Sequence, residues 1–273
     1  MTAATSQPHP LVFRNTAAEP GRHLAVTPEN SSMQHLSYGR ILLGEACRSL
    51  RFDTLGRETA LLVLRGSVRI TVGSRTEALA RYDAIYVPRG SHVEISSSGD
   101  ADVLECSAEV TGDYPLQLVR YEDVRRDPAL CFTTGSSSTT RQLNIVIGKN
   151  VQAGRLVAGF TRSEPGHWTS WPPHEHASLL EEMYVFFDMP APAFGIQLVY
   201  SDTQYPELAA IVRDGDAVLM PSGYHPNTSV PGHAVSFVWL MAAHREVEDR
   251  VFGVVNVQPD FKQNGSGLEA SLR

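Results

Sequence analysis

The sequence predicts an all-β protein built as two tandem antiparallel β-barrels, each a jelly roll. Three observations carry that prediction. A ten-residue pattern occurs twice: Asp83-Ala84-Ile85-Tyr86-Val87-Pro88-Arg89-Gly90-Ser91-His92 is answered by Asp216-Ala217-Val218-Leu219-Met220-Pro221-Ser222-Gly223-Tyr224-His225, and Asp83 to Asp216 and His92 to His225 are both offset by 133 residues. Apolar residues fall in short runs bounded by Gly, Pro or Asp, as strands do. Helical periodicity is confined to the region between Tyr121 and Leu130.

Taken in chain order, Ala60-Leu61-Leu62-Val63-Leu64 reads as a buried strand and Arg65-Gly66-Ser67 as a turn. Val68-Arg69-Ile70-Thr71-Val72 then alternates apolar and polar residues, as a half-buried strand should. Each copy of the repeat reads as a polar turn, a short buried strand, a Pro-x-Gly turn and the start of another strand. Residues 133–140 are rich in Ser, Thr and Gly and read as an exposed loop between the halves, which assigns residues 1–135 to the first barrel and 136–273 to the second. Residues 194–200 and 234–241 are further strands, and residues 263–273 read as a poorly ordered tail.

The chain has 273 residues, enough for two cores, with 42% hydrophobic content and a net charge of −7. No block of Lys or Arg appears, which argues against nucleic acid or an anionic membrane as a partner. Cys47, Cys106 and Cys131 are scattered and odd in number, without a Cys-x-x-Cys, which fits a reducing cytoplasm rather than a disulfide framework. No stretch reaches membrane-spanning length, and Met1 to Pro10 lacks the basic start and apolar core of a signal peptide.

The chemistry concentrates in Trp171-Pro172-Pro173-His174-Glu175-His176, then Glu181-Glu182-Met183-Tyr184, then Pro221-Ser222-Gly223-Tyr224-His225. Histidines one residue apart share a strand face, because side chains alternate with period two. Taken alone, a His-x-His pair is more often surface decoration. Here it follows a Pro-Pro turn and precedes an apolar run, and His225 follows a Pro-x-Gly turn at a strand edge. His174, His176 and His225 with one carboxylate make a set suited to one divalent transition metal, and zinc, manganese, iron and nickel all accept such ligands. The carboxylate is Glu181 or Glu182. If Tyr184 and Phe186 face inward then so does Glu182, which parity favours.

The first half offers only His92, at the repeat position of His225, and Glu58, near that of Glu182; no His-x-His precedes Glu58. That is too few ligands for a tight site, so the first barrel is expected to be metal-free. It would then support the second barrel or a subunit contact in a homo-oligomer. No nucleophile elbow surrounds Ser67 or Ser91, and no phosphate-cradling Gly-rich loop is present. Cys106 reads as a core thiol, and Trp168, Trp171 and Trp239 as core or as a sugar-binding wall.

The stretch Gly166-His167-Trp168-Thr169-Ser170-Trp171-Pro172-Pro173-His174-Glu175-His176 resembles a signature of the 5-deoxy-glucuronate isomerase family of inositol catabolism. The likeness continues through Leu180-Glu181-Glu182-Met183-Tyr184, Phe194-Gly195-Ile196-Gln197-Leu198-Val199-Tyr200 and Pro221-Ser222-Gly223-Tyr224-His225-Pro226, and more loosely through the first half. It implies a bicupin, two cupin barrels in tandem. It also implies an intramolecular oxidoreductase interconverting aldose-like and ketose-like forms of a sugar acid. The related 5-keto-4-deoxyuronate isomerases share a Glu-x-Tyr register that also points to Glu182. Two departures concern the pocket. Only Ala177-Ser178-Leu179-Leu180 separates His176 from Glu181, and Ala242-Ala243-His244-Arg245 stands where the family tends to have Gly-Pro-x-Arg.

On this reading a bound ion acts as Lewis acid while a base moves a proton between adjacent carbons. The candidates for the base are a metal-bound hydroxide, Tyr184 and Tyr224, in that order. Gln197, Arg162 and Trp171 are the substrate-contact candidates, with Arg162 able to fork onto a uronate carboxylate. Two rival readings use the same ligand set: a ferrous-iron cupin dioxygenase, and a non-catalytic sugar-binding cupin.

Overall fold

A computed structural model describes residues 9–268. Each half is a sandwich of one large and one small antiparallel sheet. The first half's large sheet runs in the order Gln117–Val119, Ala84–Val87, Arg57–Arg65, Ala101–Glu109, Leu36–Leu43, Gly21–Val26. Its small sheet holds Ser49–Asp53, His92–Ser96, Val68–Val72 and Arg75–Leu79. The second half's large sheet is Val12–Phe13, Ala217–Met220, Leu180–Phe186, Ser236–Ala243, Leu156–Ser163, Arg141–Ile147, Cys131–Thr134. Trp168–Thr169, Asn227–Ser229, Gly195–Val199 and Leu208–Val212 form its small sheet.

The six strands of the first large sheet match six of the seven in the second, and the match exposes an exchange. The place beside Ala84–Val87 is filled by Gln117–Val119, but the equivalent place beside Ala217–Met220 is filled by Val12–Phe13 from the start of the chain. The strand Cys131–Thr134 also pairs into the second half's sheet, so the exposed link expected over residues 133–140 begins only at Gly135. The helical stretch expected after Tyr121 is the helix Tyr121–Arg126.

Burial on both faces explains the near-continuous apolar strands. In Arg57–Arg65, Leu61 and Val63 point into the first barrel, where they meet Ile41, Ile70, Ile85 and Ile95. Ala60, Leu62 and Leu64 point the other way, into a cluster shared with Met183, Val185 and Leu219 of the second barrel. Cys106 is fully buried in that shared cluster. The barrels therefore pack through their large sheets. Among the described residues no helix is long and apolar enough to cross a membrane.

Candidate metal centre

The second barrel's interior is polar where the first is apolar. Repeat partners fix the equivalences. Glu182 pairs with Met220 as Thr59 pairs with Val87, so Thr59, not Glu58, stands where Glu182 stands in the second barrel. Glu58 instead matches Glu181. Thr169 pairs with Asn227 as Arg51 pairs with Glu94. Six residues (52–57) then join the matched positions in the first barrel, and eleven (170–180) in the second. The five extra residues carry the His-x-His segment, which the first barrel has no room for. His92, the counterpart of His225, lies exposed and bonded to Asp53.

His176, Glu182 and His225 are buried, and their ligand atoms lie within 4.8 Å of one another. His174 is buried at the edge of this group, its ring centroid 5.2 Å from that of His225. All three imidazoles are oriented in the same manner. Nδ1 of His174 meets the Pro172 carbonyl at 2.8 Å, that of His176 the Leu180 carbonyl at 3.1 Å, and that of His225 the Gly223 carbonyl at 2.9 Å. A carbonyl can only accept, so each Nδ1 carries the proton and each neutral ring keeps its lone pair on Nε2. His176 Nε2 and His225 Nε2 both lie 3.0 Å from the same Glu182 oxygen, and His225 Nε2 has no hydrogen-bond partner.

Lone pairs facing a carboxylate in a buried space repel unless a proton or a cation stands among them. At His176 it is a proton that stands there, since Nε2 is in hydrogen-bond contact with Glu182 at 3.0 Å. Burial holds His174 down to about 3, in the neutral ligand form. Burial also opposes charge on His176, but the Glu182 carboxylate outweighs it and raises that imidazole. The same partnership, against burial, brings Glu182 down to about 2. With the proton between His176 and Glu182 displaced, three imidazole nitrogens and a carboxylate form a donor set that fits a divalent ion, so His174, His176, Glu182 and His225 could hold one.

Strand parity separates the two adjacent acids. Glu182 and Tyr184 line the inner cavity, whereas Glu181 faces the other barrel and accepts the backbone N–H groups of Gln34, His35 and Leu36. The Tyr184 hydroxyl lies 2.6 Å from Ser170 Oγ, and burial pushes its pKa well up. Ser170 adopts a φ of 49°, unusual for a residue with a side chain, and this turn aims its hydroxyl at Tyr184. Leu143, Phe237, Trp239, Met241 and Phe252 supply an apolar wall.

Other expected contacts lie elsewhere. Arg162 points outward, 56% exposed, and pairs with Asp188 at 3.1 Å; its strand register puts it on the opposite face from the cavity. Gln197 is fully buried but outside the cavity lining, and its amide donates to the carbonyls of Leu198, His225 and Pro226. It holds the backbone that carries His225. The Tyr224 ring packs tilted against Tyr200, centroids 5.7 Å apart, rather than lining the cavity. The Trp171 ring packs between Trp168 and Phe261.

Three contributors to the site have no signal in the local sequence pattern. Arg141, 3% exposed, lines the cavity. So does the segment Phe252–Val255, next to the strand Asn256–Val257 that pairs with His174–Glu175. Leu268, within the stretch 263–273 expected to be loose, is also in the wall; 269–273 lie outside the described residues.

A model of the KduI/IolB family matches residues 11–256. A 5-deoxy-glucuronate isomerase of Geobacillus kaustophilus (strain HTA426) is 27% identical over 249 residues, covering 85% of this chain and 88% of that protein. Its counterpart from Bacillus subtilis (strain 168) is 25% identical, covering 80% and 84%. Among solved structures, an IolB-like protein from Salmonella typhimurium LT2 superposes with a TM-score of 0.80 at 20% identity, over 93% of this chain and 98% of that one. A Bacillus subtilis oxalate decarboxylase variant gives 0.63 at 11% identity, over 86% and 77%. The fold is that of the cupins.

Proposed function

The chain belongs to the KduI/IolB family, and from that premise we propose that it is a metal-dependent isomerase interconverting aldose-like and ketose-like forms of a deoxyuronate, as its relatives named 5-deoxy-glucuronate isomerase do. The observation that carries this reading is the convergence of the His176 and His225 Nε2 atoms on one Glu182 oxygen inside the second barrel, with the buried His174 ring beside them.

His174, His176, Glu182 and His225 would hold a divalent ion, with zinc, manganese, iron and nickel all chemically suited. Such an ion supplies Lewis acidity toward a carbonyl and its neighbouring hydroxyl. The chain's own groups do the rest. Gln197 fixes the loop of His225, and the Nδ1 bonds fix each ring's tautomer. Tyr184 keeps its proton, because burial raises its pKa, and so presents an O–H donor rather than a base. The apolar wall of Phe237, Trp239 and Phe252 excludes water. The conversion moves one carbon-bound proton to the adjacent carbon and needs no external oxidant or reductant. A cytoplasmic setting accords with the three free thiols.

The test is elemental analysis of the purified protein, then turnover of 5-deoxy-glucuronate and a panel of uronates. One equivalent of metal and isomerisation of a deoxyuronate are expected. Full metal loading without turnover of any uronate would overturn the assignment.

A further inference from the structure

We propose that His244 is a positioning residue of the metal centre: it clamps the link between His176 and Glu182 and so sets where the His176 imidazole stands. The inference deepens the proposed reading; it rests on that reading's metal centre and not on its substrate. Strand register brings the parties together. Leu180 pairs with Ala243 and Glu181 with Ala242, so His244, the residue after the strand Ser236–Ala243, comes to lie opposite Leu179. The link from His176 is short and coils into a single turn. The His176 carbonyl accepts the N–H groups of Leu179 and Leu180, both at 2.9 Å, while the Leu180 carbonyl orients His176 Nδ1 at 3.1 Å. Turn and imidazole therefore move as one unit, and whatever holds the turn holds the ring.

His244 grips this turn at two points. Its backbone N–H donates to the Leu179 carbonyl at 2.9 Å, and its ring Nε2 lies 3.0 Å from the Ala177 carbonyl. A carbonyl only accepts, so Nε2 carries the proton. On the near side the Ala177 N–H donates to Glu175 at 2.8 Å, and Ser178, at the tip, is exposed. The clamp is itself anchored. Arg155 Nη1 donates to the carbonyls of Ala243 and His244 at 2.7 and 2.6 Å. The ring of His35, from the first barrel, packs edge-on against that of His244 with centroids 5.7 Å apart. The first barrel thus backs a residue that reaches the ligand turn of the second. Groups that orient a ligand in this way are worth about 10–100-fold in metal affinity, because a ligand that has lost its bearing must be ordered again on binding.

The test compares wild type with His244→Phe, which keeps a ring against His35 but offers no side-chain donor, and His244→Gln, which keeps an N–H of similar reach. The readouts are zinc affinity by competition with a chelator, the absorption spectrum of cobalt-loaded protein, and hydrogen exchange over residues 176–182 in metal-free protein. His244→Phe should lose about 10–100-fold in zinc affinity, shift the cobalt bands and speed exchange in the turn, with little change in melting temperature. His244→Gln should recover most of each loss. Wild-type affinity and cobalt bands in His244→Phe, or equal losses in both variants, would overturn the proposal. In wild type itself, nitrogen NMR of the imidazoles should show His244 with its proton on Nε2; a proton on Nδ1 would overturn the clamp without any variant. Turnover of no uronate by wild type would remove the isomerase reading, while loss in His244→Phe and recovery in His244→Gln would still establish the clamp. A wild type that binds no zinc would remove both.

Discussion

Glu58 and Glu181 make the same contact in opposite directions between the two barrels. Glu58 of the first barrel accepts the backbone N–H groups of residues 154–156 at 2.6–2.8 Å, at the start of the second barrel's strand Leu156–Ser163. Glu181 of the second accepts those of residues 34–36 at 2.6–2.8 Å, at the start of the first barrel's strand Leu36–Leu43. Each buried carboxylate thus takes up three consecutive backbone N–H groups of the other barrel. The repeat is thus conserved within the chain at the acid that joins the barrels, while the adjacent position differs, Thr59 in one and Glu182 in the other.

Removing either carboxylate should cost stability and leave the metal alone. Glu181→Gln keeps one acceptor oxygen but presents an NH2 to backbone donors, so about 2–3 kcal/mol should be lost. Urea unfolding at fixed metal content measures it. A midpoint unchanged from wild type would mean that the three N–H groups find other partners.

The neighbouring substitution should behave in the opposite way. Glu182→Gln removes the one anion among three imidazoles, and metal affinity should fall more than about 100-fold. Competition with a chelator of known affinity reads this directly. Retention of metal by Glu182→Gln together with loss in Glu181→Gln would reverse the inner and outer faces of the strand Leu180–Phe186.

A third carboxylate links the barrels and gives the fold an acid limit. Burial alone would raise the Glu246 pKa, but the N–H groups of Thr111 and Gly112 and the hydroxyls of Tyr114 and Thr111 outweigh it and hold it near 2. An unfolded glutamate titrates near about 4.3. The folded form therefore binds its proton later, so the stabilisation is complete above the unfolded value and is lost as pH falls from there toward 2. The side chain is partly exposed, and solvent screening makes the effect smaller than the shift alone suggests. Melting temperature measured from pH 6 to pH 3 should fall less steeply in Glu246→Gln than in wild type. Parallel slopes would dismiss the clamp.

What the sequence made legible was local. Period-two alternation put Glu182 and Tyr184 on one face, and the Pro-x-Gly turn placed His225 just ahead of a strand, Asn227–Ser229, because both signals lie within a few residues. Arg141 was not legible, since its inward direction depends on the register between two strands, Arg141–Ile147 and Leu156–Ser163. The same register turned Arg162 outward to Asp188. Glu58 was matched to Glu182 rather than Glu181 because the five residues carrying the His-x-His shift the spacing between the halves. Phe252 and Leu268 reach the cavity from far along the chain, as Val12–Phe13 reaches the second sheet, and no local pattern records such contacts.

The proton chemistry itself can be followed. If the centre polarises a carbonyl beside a hydroxyl, the carbon between them becomes acidic, and its proton should exchange with solvent in the course of isomerisation. In deuterated water a deoxyuronate should therefore gain one carbon-bound deuterium, without nicotinamide and at the same rate whether or not oxygen is present. Chelation should abolish exchange and turnover together, and a divalent ion should restore both. Tyr184→Phe removes the O–H that Ser170 holds in the cavity while keeping the ring that packs 4.1 Å from Phe237, so it should lower kcat about 10-fold or more at unchanged metal content. Mass spectrometry of the product and oxygen consumption decide the matter. Turnover that consumes oxygen would identify a dioxygenase instead, and isomerisation without any deuterium uptake would place the transferred hydrogen beyond the reach of solvent and replace proton transfer by a hydride shift.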